Sequence, residues 1–303
     1  MTSTPSIAAS SPTTVLDRVK PIGGTGNRDR GQTVLTGDLL DLDTSLDRIF
    51  TGWARCWNAA EYRFPACVEA RHLERLGYFQ SFPHLATFPV TLDCESDNIG
   101  EFARGHACDS RGAVKLPKLS ATEHVLTPAA CYHVYIELEG EMLDAPRYIT
   151  TRATCFRNEG QYTPFERQWN FSMREIVCLG SAAEVEDFLE RCTYVINHFA
   201  ASIGLPVEWA DATDPFFSPA SNPKYLFQKL EPVKRELIYA DDLAIASMNF
   251  HRDYFGEAFH ISRDGEHAYS GCVAFGMERW LSAFLGAYGA TREQWSCLDG
   301  FRP

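Results

Sequence analysis

The strongest constraint on the fold is a pair of long β-rich runs, at 148–156 and 169–179, separated by a polar loop. The first carries Ile149, Thr150, Thr151 and Thr154; the second carries Trp169, Phe171, Ile176 and Val177. Branched and aromatic side chains fit a pleated, half-buried surface, so both runs are read as strands. The loop between them, with Arg157, Asn158, Glu159, Glu166, Arg167 and Gln168, shows no helical pattern. The second run is therefore a return strand, and the chain is committed to antiparallel pairing.

The remaining elements agree with that start. Ser181 followed by Glu184 is a capping box. Behind it Val185, Phe188, Leu189, Cys192, Val195, Ile196 and Phe199 recur at helical spacing, and Gly204 and Pro206 end the helix. The patterns predict a helix over 68–76 closed by Gly77 and a strand over 131–138. Strands are expected near 243–250 and 257–262, and irregular chain over 216–236, where Pro219, Pro223 and Pro232 fall. A last helix is expected to start near Phe275 and bury Met277, Trp280, Leu281, Phe284 and Leu285. Strands and helices mix without a βαβ rhythm, which predicts an α+β fold with an antiparallel sheet flanked by helices. Residues 1–35, rich in Ser, Thr, Pro and Gly, are expected to be a disordered tail, and 36–303 one globular domain. The run Gly23-Gly24-Thr25-Gly26 has no strand before it and no apolar helix after it, so it reads as a linker rather than a phosphate loop.

Composition narrows the function. The 303 residues carry a formal charge of -12, and 45% are hydrophobic, enough for a sizeable core. Polyanions normally meet a basic face, so a nucleic-acid substrate is disfavoured. There are ten cysteines, no CxxC pair and no secretory leader, which predicts reduced thiols or metal ligands in the cytoplasm rather than disulfides. No apolar run approaches the roughly 18 residues of a membrane span.

Three segments carry chemistry. Cys155-Phe156-Arg157-Asn158-Glu159-Gly160 closes the first long strand, and Phe171 stands on its return partner. Ser270-Gly271-Cys272-Val273-Ala274-Phe275-Gly276-Met277-Glu278-Arg279-Trp280 reads as a strand, a small-residue turn, and a helix with an arginine in its first turn. Leu76-Gly77-Tyr78-Phe79-Gln80-Ser81-Phe82-Pro83 ends a helix with Gly-Tyr and places a proline five residues beyond the tyrosine. Taken singly, the first also suits an exposed hairpin with an ion pair, and the second an amphipathic helix with an exposed arginine.

Together, and in this order, they resemble motifs 2, 3 and 1 of the class II aminoacyl-tRNA synthetases, motif 1 coming first along the chain. The resemblance implies that Arg157 neutralises the ATP α-phosphate as charge builds during attack. Glu159, on the same face two residues on, would accept from the adenine amino group, and Phe171 would stack on the ring. Arg279 would lie over the adenine and reach the γ-phosphate, with Gly271, Ala274 and Gly276 letting the nucleotide approach the backbone. Motif 1 implies a homodimer.

Within the class, Phe171 followed by Glu175 resembles the seryl enzymes. Leu126-Thr127-Pro128-Ala129-Ala130-Cys131 resembles their substrate loop, with Cys131 where a glutamate usually stands. Cys131, Glu175 and Cys272 reproduce the zinc set of the atypical, zinc-dependent seryl-tRNA synthetases. Two thiolates and a carboxylate suit Zn²⁺ and leave a fourth position open, which a deprotonated α-amino group can fill. Ala130, Cys131 and Glu175 would then bind the substrate. His133, two residues past Cys131 on the expected strand, is read first as an ordinary strand histidine and second as support for the metal set. The Mg²⁺ pattern of the seryl enzymes, a glutamate three residues before a serine, is not clean here; Ser247 and Asn249 are candidates to line the nucleotide or metal site.

The tRNA-binding region of a seryl enzyme has no counterpart, since the chain ahead of the globular part shows no heptads. The pattern therefore resembles the amino acid:[carrier protein] ligases, over roughly residues 37–303. That implies activation of glycine or alanine by ATP and transfer to the phosphopantetheine thiol of a small acidic carrier protein, with tRNA disfavoured as acceptor. An acidic carrier needs a basic patch, and Lys224, Lys229, Lys234 and Arg235 offer one; a solvated mixed-charge loop is the competing reading. Aminoacylation of RNA, and a non-catalytic regulatory paralogue, remain the rival functions.

Overall fold

A computed structural model of the chain describes residues 31–298 apart from His106 and Asp241. The run from Gly23 to Gly26 and most of the expected tail lie outside the described residues. The last part of that tail is ordered, contrary to expectation. The Gly31 carbonyl accepts from the Trp169 amide at 2.8 Å, and the Thr33 hydroxyl meets the Gln168 side chain. The incoming chain satisfies an amide at the base of the hairpin loop that has no strand partner.

Helix α1 (Asp38–Arg55) opens the fold, with Asp38 and Asp41 in its first turn and Arg55 in its last, which complements the helix dipole. It buries Leu42, Leu46, Ile49 and Phe50 along one stripe. A short strand, β1 (Ala60–Tyr62), then joins the edge of the main sheet. This helix–strand unit, not the segment from Leu76 to Pro83, adds to the sheet. The latter follows the short helix Ala70–Arg75 and itself forms the short helix Tyr78–Ser81, the chain turning at Gly77 with φ 60°.

Next come α2 (Tyr132–Glu137), β2 (Arg147–Phe156), β3 (Asn170–Gly180), α3 (Ala182–Ile203) and β4 (Val207–Asp211). After them lie α4 (Pro223–Leu230), β5 (Lys234–Tyr239), β6 (Leu243–Arg252), α5 (Tyr254–Phe259), β7 (Tyr269–Gly276) and α6 (Met277–Tyr288). The seven strands run in the order β1-β2-β3-β7-β6-β5-β4. Pairing is antiparallel except for the parallel edge between β1 and β2.

The sheet has two covered faces. Ile176, Cys178, Val273 and Phe275 meet α1, α3 and α6 in the larger core. Val177, Leu179 and Cys272, displaced by one residue along the same strands, meet α2 and α5 in a second core. The capping box of α3 is present: the Ser181 hydroxyl accepts from the Glu184 amide at 3.3 Å, and the Glu184 carboxylate accepts from the Ser181 amide at 2.7 Å.

Several expected elements change type. Residues 131–138 form helix α2, not a strand, so Cys131 and His133 do not share a strand face. Val134, Tyr135 and Leu138 are buried against the second sheet face, and that one-sided burial overrides the β-propensity of Tyr, Val and Ile. The stretch near 257–262 is mostly α5, followed by a two-residue strand, Ser262–Arg263. The stretch 216–236 is not irregular: Pro223 starts α4, where its missing N–H costs nothing, and Lys234 starts β5. The last helix begins at Met277, because Phe275 still pairs within β7.

Candidate active site

Strand alternation aligns the site. On β3, Phe171, Met173 and Glu175 share one face; on β7, Gly276, Ala274 and Cys272 do; on β6, Ser247 and Asn249 do; on β5, Glu236 and Lys234 do. Phe171, Met173, Glu236, Ser247, Ala274 and Gly276 line a cleft of about 120 Å³, together with Arg157, Glu159, Glu278 and Arg279. Glu175 and Cys272 continue the same row one step deeper. Four residues of strand, from Phe171 to Glu175, span about 13 Å, which is the length scale from an adenine ring past its ribose to an α-phosphate.

At the deep end, ligand atoms of Cys131, Glu175 and Cys272 all lie within 4.8 Å of one another, and all three residues are buried. Cys131 stands at the start of α2, at the end of the loop over 127–131. One Glu175 oxygen accepts from the Ala130 amide at 3.1 Å, while Oε2 is buried with no hydrogen-bond partner. The three groups resist ionising together. The hydrogen bond with Cys272 raises the Cys131 thiol well above its usual range, with burial and the Glu175 charge adding to it. Hydrogen bonding to Cys131 favours the Cys272 thiolate, yet burial and Glu175 outweigh it and raise this thiol too. Burial raises Glu175. A buried orphan oxygen beside two soft ligands fits a dication, which would reverse the sign of every one of these shifts.

Arginines and glutamates alternate around the cleft. Arg157 follows directly after β2; its Nε donates to the Pro128 carbonyl at 3.1 Å, and its guanidinium lies 5.0 Å above the Phe171 ring. It thus stands between the nucleotide cleft and the loop that carries Cys131. Glu159 is paired with Arg167 at 3.2 Å. Arg279 sits in the first turn of α6 as expected. It donates to the carbonyls of Glu166 at 2.7 Å and Ala244 at 2.9 Å, and burial lowers its pKa. The structure thus brings Arg157, Glu159, Phe171, Ser247 and Arg279 into one cleft, and Cys131, Glu175 and Cys272 into one cluster. Asn249 touches the metal set, its Nδ2 donating to the Cys272 sulfur at 3.6 Å. Ser247 lies in the cleft.

One expectation fails, and the second of the two readings of His133 does not hold. Lys234 is not a surface group. It is nearly buried, paired at 3.0 Å with Asp214 and at 3.0 Å with Glu236, because strand alternation turns it into the cleft beside Glu236. Burial would raise the Asp214 carboxyl, but Lys234 and Gln228 outweigh it and hold it below its usual range. His133 does not join the metal set: its ring stacks on Phe64 at 5.4 Å. Of the remaining basic residues, Lys224 donates to the Leu76 carbonyl and the Tyr254 hydroxyl, whereas Lys229 and Arg235 are exposed.

Residues not foreseen include Lys234 and Glu236 as cleft wall, Glu278, and His251. Both Glu278 oxygens accept from the Ser172 amide at 2.9 Å, and burial pushes its carboxyl up to about 7. His251 Nε2 lies 3.7 Å from the Cys272 sulfur, and burial lowers its pKa to about 4. A period-two reading of 234–252 was the available signal; the prolines ahead of it masked the first strand.

A long hairpin, an arginine-bearing helix start and a cleft on one face of a mixed sheet define the class II aminoacyl-tRNA synthetase fold. Comparison with solved structures agrees. The seryl-tRNA synthetase of M. kandleri, solved with A. aeolicus tRNASec, superposes with a TM-score of 0.76 at 18% identity over 98% of this chain and 61% of that one. The prolyl-tRNA synthetase of Giardia lamblia, solved with prolyl-adenylate, gives 0.66 at 12% identity over 90% and 50%. No family model matches the sequence. Among curated proteins, amino acid–[acyl-carrier-protein] ligase 1 of Bradyrhizobium diazoefficiens is 34% identical over 244 residues, 77% of this chain and 73% of that protein. Ligase 2 of the same organism is 34% identical over 249 residues. The type-2 serine–tRNA ligase of Methanocaldococcus jannaschii is 24% identical over 292 residues, of which the chain spans 54% of the length. The chain belongs to the amino acid–[acyl-carrier-protein] ligase family. It is a ligase on the class II synthetase fold.

Proposed function

We propose that the protein activates a small amino acid with ATP and passes it to the phosphopantetheine thiol of a carrier protein. The observation that carries this reading is the single row of side chains that runs from the nucleotide cleft to the Cys131, Glu175, Cys272 set. In the first half-reaction the amino acid carboxylate attacks the α-phosphorus of ATP, the bond to the β-phosphate oxygen breaks, and pyrophosphate leaves. Arg157 releases Pro128 and stabilises the charge that builds on the α-phosphate oxygens. Phe171 and Glu159 fix the adenine, and Arg279 leaves its carbonyl partners for the γ-phosphate. In the second, the carrier thiolate attacks the activated carbonyl, and AMP leaves with the electron pair. When bound, Zn²⁺ would take the substrate amino group at its open position, and Mg²⁺ would screen the phosphates. Ser247 and Glu236 offer oxygen atoms on the cleft wall. Cys131 and Cys272, as metal ligands, are not nucleophiles.

Glycine should be the preferred substrate, with alanine and serine following. The Cys131 end is crowded by aromatic rings: Tyr132 and Tyr135 pack on Phe255, the latter with ring centroids 3.8 Å apart. One methyl group supplies only about 1 to 3 kcal/mol of discrimination, so some leakage is expected. Amino-acid-dependent ATP–pyrophosphate exchange across the natural amino acids, followed by competition between a phosphopantetheinylated carrier and tRNA as acceptor, tests the reading. Exchange with no amino acid would refute activation; transfer to tRNA alone would reassign the acceptor.

The carrier would dock where basic and apolar groups meet at the rim, on Lys229, Leu226, Leu230 and Phe217; Arg235 does not join them, since it lies on the opposite face of the sheet beside Leu189 and Thr193 of α3. Leu226, Leu230 and Phe217 are exposed. This segment is moored beside the cleft, since the Phe217 amide donates to the Ser81 carbonyl and Gln228 to Asp214. Two copies of the chain would form the working unit in the cytoplasm; light scattering should return twice the 34.0 kDa chain mass.

A further inference from the structure

We propose that His251 is the positioning residue that orients the Cys272 sulfur toward the metal set. This role rests on the metal reading above. Cys272 of β7 stands opposite Asn249 of β6. One step away the ladder slips: Gly271 faces Phe250 and Ser270 faces Arg252, which leaves His251 as the extra residue of a β-bulge. A bulge bends its strand and re-aims a side chain. Here it lets two side chains of one strand reach a single sulfur: Asn249 Nδ2 at 3.6 Å and His251 Nε2 at 3.7 Å.

A donating Nε2 needs Nδ1 to be the accepting nitrogen, and two hydroxyl groups stand beside it. Nδ1 lies 3.2 Å from the Tyr135 hydroxyl on α2 and 3.2 Å from the Ser270 hydroxyl on β7. Both of those side chains are fully buried. A hydroxyl that donates to Nδ1 leaves the ring hydrogen on Nε2, so the imidazole donates to the sulfur. Phe255 stands edge-on to the ring at 4.9 Å and 89°, and Tyr135 at 6.0 Å and 86°, which fixes its plane. His251 is not itself a ligand: among the described residues, the mutually close ligand atoms stop at Cys131, Glu175 and Cys272. Two N–H donors on one sulfur fix its direction and leave its free side turned toward Cys131 and Glu175.

The test measures metal binding, not turnover. Zinc affinity by chelator competition and the thiolate-to-cobalt absorption of the Co²⁺-substituted protein would be compared in wild type, His251→Phe, His251→Gln and the double variant Tyr135→Phe/Ser270→Ala. Loss of these groups is expected to weaken metal affinity by about 10- to 100-fold. His251→Phe should show that loss and a shifted, weaker cobalt band. Gln, which keeps an N–H near the Nε2 position, should restore most of both. The double variant keeps the ring but frees its tautomer, and should fall between; it also carries the test if His251→Phe does not fold. Wild-type affinity and band in a folded His251→Phe, or in the double variant if that is the one that folds, would overturn the role while leaving the metal site standing. A wild type that takes up neither zinc nor cobalt overturns the metal reading and this role with it.

Discussion

At the scale of residues, the cleft holds its arginines in reserve. Arg157 and Arg279 are each tied to backbone carbonyls, bonds that ATP phosphates can replace at little cost because the donors are already desolvated and aimed. Arg157→Ala is expected to slow adenylate formation by about two orders of magnitude or more, as for loss of one preorganised charge stabiliser. Pyrophosphate exchange measures this, and near-normal exchange would remove Arg157 from the chemistry. Glu278 makes a separate, pH-dependent prediction. Its folded carboxyl sits at about 7, against an ordinary value of 4.5. The folded state therefore binds this proton more tightly than the unfolded chain. The resulting stability is fully present below about pH 4.5 and is lost as the pH rises to about 7. Over that window the wild type should lose up to about 3 kcal/mol relative to Glu278→Gln. Denaturant midpoints measured across the range check it, and parallel curves for the two proteins would show that Glu278 ionises freely.

At the scale of elements, α1 is clamped to the sheet by charge as well as by its apolar stripe. Arg174, 2% exposed, points from β3 to Asp47 of α1 through paired contacts of 2.8 and 2.9 Å, and to Glu61 of β1 at 3.1 Å. Arg152 of β2 sets one nitrogen, Nη2, on both oxygens of Asp43, at 2.9 and 2.8 Å. Removing one partner of a buried pair strands the other charge, so Asp47→Ala should cost about 3 kcal/mol, moderated by the Glu61 contact that remains. Chemical denaturation measures that cost, and a loss below about 0.5 kcal/mol, the size of an ordinary surface substitution, would show that the pair contributes little. On the other side of the cleft, α4 presents Lys229 and Leu230 to solvent. Lys229→Glu should slow thioester formation on an acidic carrier severalfold and leave pyrophosphate exchange intact, and added salt should weaken transfer before activation. Equal sensitivity of both half-reactions would place the docking face elsewhere.

At the scale of the whole molecule, the metal set joins segments far apart in sequence: the loop before α2, the middle of β3 and the middle of β7. No helix among the described residues is long and apolar enough to cross a membrane. A metal bound only by the folded state stabilises it by mass action, about 4 kcal/mol at a thousandfold excess over Kd. A chelator should therefore lower the melting temperature of the wild type but not that of Cys272→Ala, which has lost the site already. Calorimetry with and without chelator decides this, and an unchanged wild-type melting temperature would leave the three residues as a merely structural cluster.

How much of this was legible in the chain differs from element to element. The long hairpin, the capped helix α3 and the arginine in the first turn of α6 could be read directly, since each is specified by neighbours within a few residues: periodicity, a capping box, a turn of small residues. The pairing of Cys131 with Glu175 and Cys272 was reachable only through family resemblance, because nothing local links residues so widely separated. Residues 131–138 and 216–236 were misread for one physical reason. Their conformation is set by what they pack against, the second sheet face and the Asp214–Lys234 pair, and not by their own propensities. The sequence by itself determined the strand alternation that puts Phe171, Met173 and Glu175 on one face. Only the tertiary structure decided that Lys234 turns inward, that α2 delivers Cys131 to that face, and that a slipped register carries His251 to Cys272, because register and burial are properties of partners distant in the chain.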